Sequence, residues 1–242
     1  RVDNGRPLFI LCEILYKRNS AQRQFSFRYI ALPGLIIISG GYLVKLRISS
    51  RDGKKIHMEN EKRGKVLEIT ELGNPVLWER AREVEDVTNP AVQSLIDDLI
   101  ETAYHANGVG IAAPQVGSAE RIFIISSHPN VRYPDAPELE PTAIINPEII
   151  SKSEETVKGW EGCLSIPGMR GLVPRAKAVR ARYTTRDGKT EEAEFRGFVA
   201  RVFQHELDHL DGILFLDRVE STRDIVTEKE YAKLLESTEG DN

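Results

Sequence analysis

The chain has 242 residues, 40% of them apolar and 29% charged, enough to bury one core or at most two. Its only cysteines are Cys12 and Cys163, which excludes a disulfide framework and makes a reducing compartment the simpler setting. A net charge of −4 argues against a chain built to neutralise nucleic-acid phosphate, so no specific DNA binding is expected.

The average charge hides a division. Residues 1–57 carry eleven Lys and Arg against three Asp and Glu, a net of +8, whereas residues 58–242 carry 22 against 34, a net of −12. Two domains are expected: a basic extension over 1–57 and a body over 58–242 that holds the chemistry and ends in a helix. The longest apolar run of the extension, Leu35 to Ile38, lies between Pro33-Gly34 and Ser39-Gly40-Gly41, which is too short to span a bilayer. No membrane insertion is expected. Three readings fit the extension: a disordered segment, a targeting segment, or sequence upstream of a start at Met58.

In the body, "TNPAVQSLIDDLIETAYHANG" predicts a helix with Asn89 as N-cap, Pro90 at its first position and Gly108 beyond its end. Val92, Leu95, Ile96, Leu99, Ile100 and Ala103 form its buried stripe. Strands are expected at Arg121–Ser126 and Thr142–Ile150. A hairpin should then join "AKAVRARYTT" to "KTEEAEFRG" through Arg186-Asp187-Gly188. A second helix covers roughly Phe198–Leu210, and Thr227 with Glu230 forms a capping box for a last one. Helices mixed with hairpin-joined strands make the class α+β.

The sharpest local signal is "FQHELDHLDG", in which His205 and His209 are four apart with Glu206 beside the first. On a helix this spacing turns both imidazoles to one face, where they can hold one metal ion while Glu206 reaches a water beside it. The pentad also occurs in ordinary surface helices. Two histidines leave a catalytic site short of ligands. Cys163 in "WEGCLSIPG" is the best third candidate, because a thiolate is a strong ligand; taken alone, such a cysteine is more often inert and buried. The extended HExxHxxGxxH pattern of many metallopeptidases does not follow His209.

Three separated blocks, "GVGIAAPQ" at Gly108–Gln115, "EGCLS" at Glu161–Ser165 and "QHELDH" at Gln204–His209, resemble those of the peptide deformylase family. Each block alone is weak; their order and spacing together are specific. The likeness runs from about Lys65 to about Arg218. It implies an α+β fold with antiparallel or mixed sheets packed around a central HExxH helix, across which the cysteine-bearing strand lies. It implies one divalent metal on Cys163, His205 and His209, ferrous iron favoured over zinc, nickel or cobalt, with Glu206 as general acid and base. The implied reaction is hydrolysis of the formyl group from the N-terminal formyl-methionine of nascent polypeptides, releasing formate.

The resemblance further implies that Gln115, through its side-chain amide, and Leu164, through its backbone N–H, stabilise the developing oxyanion. Gly108 and Gly110 let backbone approach the substrate, with Gly110 hydrogen-bonding it, and Val109 and Ile111 offer apolar surface to the methionine. Glu161 and Arg175 brace the site, Arg170 stands near the substrate entrance, and Phe198 and Arg201 border the pocket. Trp160 is expected beneath the cysteine strand. The implied partners are formyl-methionyl nascent peptides, with transient ribosome contact left open. The implied setting is a bacterial cytoplasm, or an organelle if residues 1–57 are a targeting segment. Two other classes remain at this point: a general metallopeptidase, and a metal- or peptide-binding module without turnover.

Overall fold

The computed structural model describes residues 64–130 and 132–239 and, before them, the backbone of five strands. The chain divides into two compact units, Arg1–Lys62 and Arg63–Asn242. In the first unit, β1 (Phe9–Arg18) pairs antiparallel with β2 (Ala21–Ile30). There β3 (Ile36–Ser39), β4 (Tyr42–Ile48) and β5 (Ile56–Glu59) form a sheet in that order. The side chains of these strands, Cys12 among them, and the expectations of disorder, targeting or an internal start lie outside the described residues.

The first α-helix of the second unit is α1 (Pro90–His105), where the Asn89 side chain accepts from the Ala91 N–H at 2.9 Å and Pro90 occupies the first turn. Ile96, Leu99 and Ala103 are buried, and Val92, Leu95 and Ile100 pack partly buried beside them. Gly108 lies beyond the end of the helix, as expected, and Asn107 takes the left-handed conformation at φ 53°. The Asn107 N–H reaches the Tyr104 carbonyl at 3.1 Å and the Gly108 N–H reaches the Ala103 carbonyl at 2.9 Å, a Schellman closure. Gly108 is thereby released to the loop that follows.

The strands continue as β6 (Gly110–Ala112), β7 (Ile122–Ile125), β8 (Thr142–Lys152), β9 (Thr156–Cys163), β10 (Ile166–Ala176), β11 (Ala178–Thr184) and β12 (Thr190–Arg196). Then come α2 (Gly197–Leu210), β13 (Ile225–Thr227) and α3 (Glu228–Glu239). One sheet has the order β12-β11-β8-β7-β6 and the other β13-β10-β9. Every strand pair in them is antiparallel, so the α+β expectation agrees with the structure.

β7 reads Ile-Phe-Ile-Ile and is buried throughout because helices cover both faces of its sheet. Phe123 and Ile125 join Phe203 of α2 in one core, while Ile122 and Ile124 join Ile96 and Leu99 of α1 in another. The Phe123 and Phe203 rings meet nearly edge to face with centroids 5.2 Å apart. The predicted hairpin forms as β11 and β12, with Val179, Ala181 and Tyr183 inward and Arg180 and Arg182 outward against Glu192. Among the described residues no helix is long and apolar enough to cross a membrane.

α2 is buried along most of its length, and Gln204 in it is fully bonded. Gln204 accepts from the Ala176 N–H at 3.1 Å and donates to the Ala176 and Ala200 carbonyls, each at 2.9 Å. It ties the helix to the end of β10. Gln204→Leu leaves both backbone groups of Ala176 without this partner and is expected to lower the unfolding free energy by about 2–4 kcal/mol. Urea unfolding checks this, and a loss below about 1 kcal/mol would contradict the tie.

Candidate metal centre

His205 and His209 lie one turn apart on α2 with ring centroids 5.1 Å apart. Cys163 ends β9, which its pairing with β10 carries to the helix, and its Sγ lies 3.2 Å from His209 Nε2. One ligand atom from each of the three residues falls within 4.8 Å of the others. The cluster joins two segments more than 40 residues apart in sequence.

The orientation of His205 comes from a buried carboxylate. Glu161, 3% exposed, accepts from His205 Nδ1 at 2.9 Å, which leaves Nε2 for a ligand. The same carboxylate takes Arg175 Nε at 2.9 Å and Nη2 at 3.0 Å, and Arg201 Nη1 at 2.8 Å. Burial alone would raise its pKa, but the bonds from His205 and Arg175 outweigh that and hold it well below the carboxylate range. Arg175 spans onward to Asp208, and Arg218 closes the chain on Asp208 with bonds of 3.0 and 2.7 Å. Burial lowers and the Glu161 and Asp208 charges raise the Arg175 pKa, with a net rise.

The donor set fits a cation. Burial pushes the His205 pKa down, yet the hydrogen bonds of the Cys163 sulfur and Glu161 to its ring raise it well above the ordinary value. Burial, with the charges of His205 and Arg175, lowers the His209 pKa, so its imidazole stays neutral as ligation requires. An N/N/S set of this kind suits zinc, ferrous iron and neighbouring divalent ions.

Glu206 follows His205 and is 4% exposed, and its Oε2 has no hydrogen-bond partner among the described residues. Burial raises its pKa to about 7, where a carboxyl group both takes and gives a proton near neutrality. A Cβ on Gly110 would collide with this carboxyl group, so glycine is required by close approach. Gln115 is anchored by the Ala112 N–H at 2.8 Å on its oxygen, which aims its Nε2 at Cys163 Sγ, 3.4 Å, and Ser165 Oγ, 3.2 Å.

An open cleft leads to this group. Gly108, Val109, Gly110, Gln115, Glu161, Cys163, Leu164, Phe198, Arg201, His205 and Glu206 line it. Two expected substrate residues do not. Ile111 is fully buried on the α1 side of the sheet, because strand alternation turns it away from the cleft. Arg170 is 2% exposed and packs between Tyr133 and Tyr231, so it stands behind the wall and not at the entrance. Arg201 borders the cleft but is committed to Glu161 and to the carbonyls of Val157, Gly159 and Val173. His209 is buried beneath the cleft. Trp160 packs against Tyr231 of α3.

The sequence reading missed Asp208, Arg218, Ser165 and Tyr133. A charged residue three positions after His205, inside a helix with so many buried positions, was the available signal for Asp208. Tyr133 sits in the long connection between β7 and β8, where no periodicity marks it. If the three ligands hold a metal, a divalent ion at about 100 times its dissociation constant adds about 2.7 kcal/mol and raises Tm by about 5–10 °C. Cys163→Ala is expected to abolish that rise in a thermal melt; an equal rise in the variant would contradict the ligand set.

Residues 66–224 match the sequence model of the polypeptide deformylase family. A Nostoc protein named peptide deformylase 2 is 56% identical over 170 residues, which cover 70% of this chain and 95% of that protein. Among solved structures, a Met-Ala-Ser-bound class I type b peptide deformylase from Acinetobacter baumannii is similar with a TM-score of 0.62 and 45% identity, covering 64% of this chain and 98% of that one. The peptide deformylase of Thermotoga maritima gives a TM-score of 0.58 at 39% identity, covering 64% and 99%. With two thirds of its length matched by one family and its cysteine, histidines and glutamate gathered at one cleft, the chain belongs to the polypeptide deformylase family.

Proposed function

We infer that this protein is a metal-dependent hydrolase that removes the N-formyl group from the terminal methionine of nascent polypeptides. The observation that carries the reading is the convergence of Cys163, His205 and His209 beside a buried Glu206 and a donor amide from Gln115. A divalent ion on the three ligands supplies Lewis acidity and acidifies water at the site.

The chain's own groups do the remainder. Glu206 takes a proton from the attacking water and later delivers it to the departing amine, a role supported by its burial and a pKa near neutrality. The Gln115 Nε2 and the Leu164 backbone N–H meet the negative charge that grows as the planar formamide becomes tetrahedral. The products are formate and a free amino terminus. Both walls of the cleft carry sheet edges: β6 ends its five-stranded sheet and β9 ends its three-stranded one. An extended peptide terminus can pair with such edges through its backbone, with Gly110 on one and Gly162 on the other. Val109, Leu164 and Phe198 offer the methionine side chain apolar surface.

Ferrous iron is the proposed resident ion, with zinc, nickel or cobalt as alternatives that the same donors accept. The catalytic part is proposed to be residues 58–242, with 1–57 a basic extension. The proposed setting is the bacterial cytoplasm, where nascent chains carry the formyl group; the relatives from Nostoc, Shewanella and Bordetella support it.

Anaerobic assay of formate release from formyl-methionyl peptides tests the reading. Activity is expected with the formylated peptide and no cleavage of internal bonds in unformylated ones, and Glu206→Ala is expected to reduce turnover at least about 100-fold with metal retained. Peptide-bond cleavage without formate release would make the protein a general metallopeptidase. Full turnover by Glu206→Ala would remove the general acid and base from the account.

A further inference from the structure

Arg170 and Tyr133 form an assembly that the chemistry above leaves unused. β9 is the edge of its sheet, and the backbone N–H of Gly162, one residue before the ligand Cys163, turns toward the cleft. It meets the Tyr133 hydroxyl at 3.4 Å. The Tyr133 ring lies against Phe198 with centroids 5.0 Å apart, and both line the cleft. A peptide that pairs with β9 needs that N–H for one of its carbonyls, so the hydroxyl holds a place that substrate must take.

Arg170 holds Tyr133 there. Its Nη1 donates to the Tyr133 hydroxyl at 3.1 Å, and its guanidinium lies between two rings, 5.2 Å from the Tyr133 centroid and 5.1 Å from that of Tyr231 on α3. Arg170 Nε stands 3.4 Å from Glu228 at the start of α3. A guanidinium that is 2% exposed has few places to go, because moving it away from these partners strands its charge. Gly162 has no side chain to obstruct it; a Cβ there would crowd Arg170 at 3.1 Å.

We propose that Tyr133 caps the substrate-pairing edge of β9 until a peptide carbonyl takes over the Gly162 N–H, and that Arg170, clamped by α3, is the residue that positions it. This rests on the deformylase reading. The hydroxyl released by the peptide keeps its bond to Arg170, so exchange costs one long hydrogen bond and returns one of ordinary length.

Tyr133→Phe retains the ring and removes the cap. With metal-loaded enzyme and formyl-Met-Ala-Ser as substrate, KM is expected to fall about two- to fivefold, the gain appearing in KM and not in kcat. The dissociation constant of the product tripeptide Met-Ala-Ser, measured by calorimetry, should fall by a similar factor. Arg170→Met should lower KM in the same direction, and the double variant should match Tyr133→Phe, since the two residues act through one bond. Unchanged or weakened affinity in Tyr133→Phe overturns the cap. An additive double variant overturns the positioning role of Arg170, and Tyr231→Phe, which keeps the ring on Arg170 and should match wild type, controls for damage to the fold. Absence of formate release by the wild-type enzyme overturns the deformylase reading and this proposal together, whereas an active enzyme with unaltered Tyr133→Phe overturns this proposal alone.

Discussion

The Glu161 carboxylate is the point on which the centre depends. It is almost wholly buried, and three cationic or polar donors, His205, Arg175 and Arg201, converge on its two oxygens. A carboxylate in such a place is tolerated only when paired, and removing one partner leaves a charge that the interior cannot solvate. Each bond has a structural consequence. His205 fixes its ring and tautomer, Arg175 links the strand to Asp208 of α2, and Arg201 stitches α2 to the backbone of β9 and β10. The network brings little net stability at such desolvation cost; its effect is to specify one placement of the cysteine strand against the histidine helix.

The same placement makes the cleft. Because β9 must lie beside α2 for Glu161 to reach His205, its free edge faces the edge of β6 across the metal ligands. β6 is itself set by the Schellman closure of α1, where Asn107 takes the left-handed turn and hands the chain on to Gly108 and Gly110. Gly110 then lies so near Glu206 that no side chain fits. Local capping chemistry, sheet register and the proton-transfer group are therefore one continuous arrangement.

Much of this was legible in the sequence. The N-cap of α1, its apolar stripe, the β11–β12 hairpin and the histidine pair all follow from local rules that the structure leaves in force. β10 was hidden because "IPGMRGLVPRA" contains two prolines and two glycines. It is tolerated as a strand because β13 pairs only with Met169–Gly171, so Pro174 faces no partner on that side. The resemblance places Ile111 and Arg170 at the cleft. Strand alternation sends the first to the opposite core, and the ring sandwich draws the second behind the wall. The burial that tunes Glu206 and the convergence on Glu161 are tertiary facts: His205 lies 44 positions from Glu161 and Gly110 packs on Glu206 from farther still, so no local pattern encodes them.

Glu161 holds His205 ready for a metal through the bond to its Nδ1. The most direct test is the metal affinity of Glu161→Gln, measured by chelator competition on anaerobically prepared protein that retains its native circular dichroism. The expected dissociation constant is about 10- to 100-fold weaker than that of wild type. An affinity equal to wild type would contradict it and leave the buried carboxylate a structural brace alone.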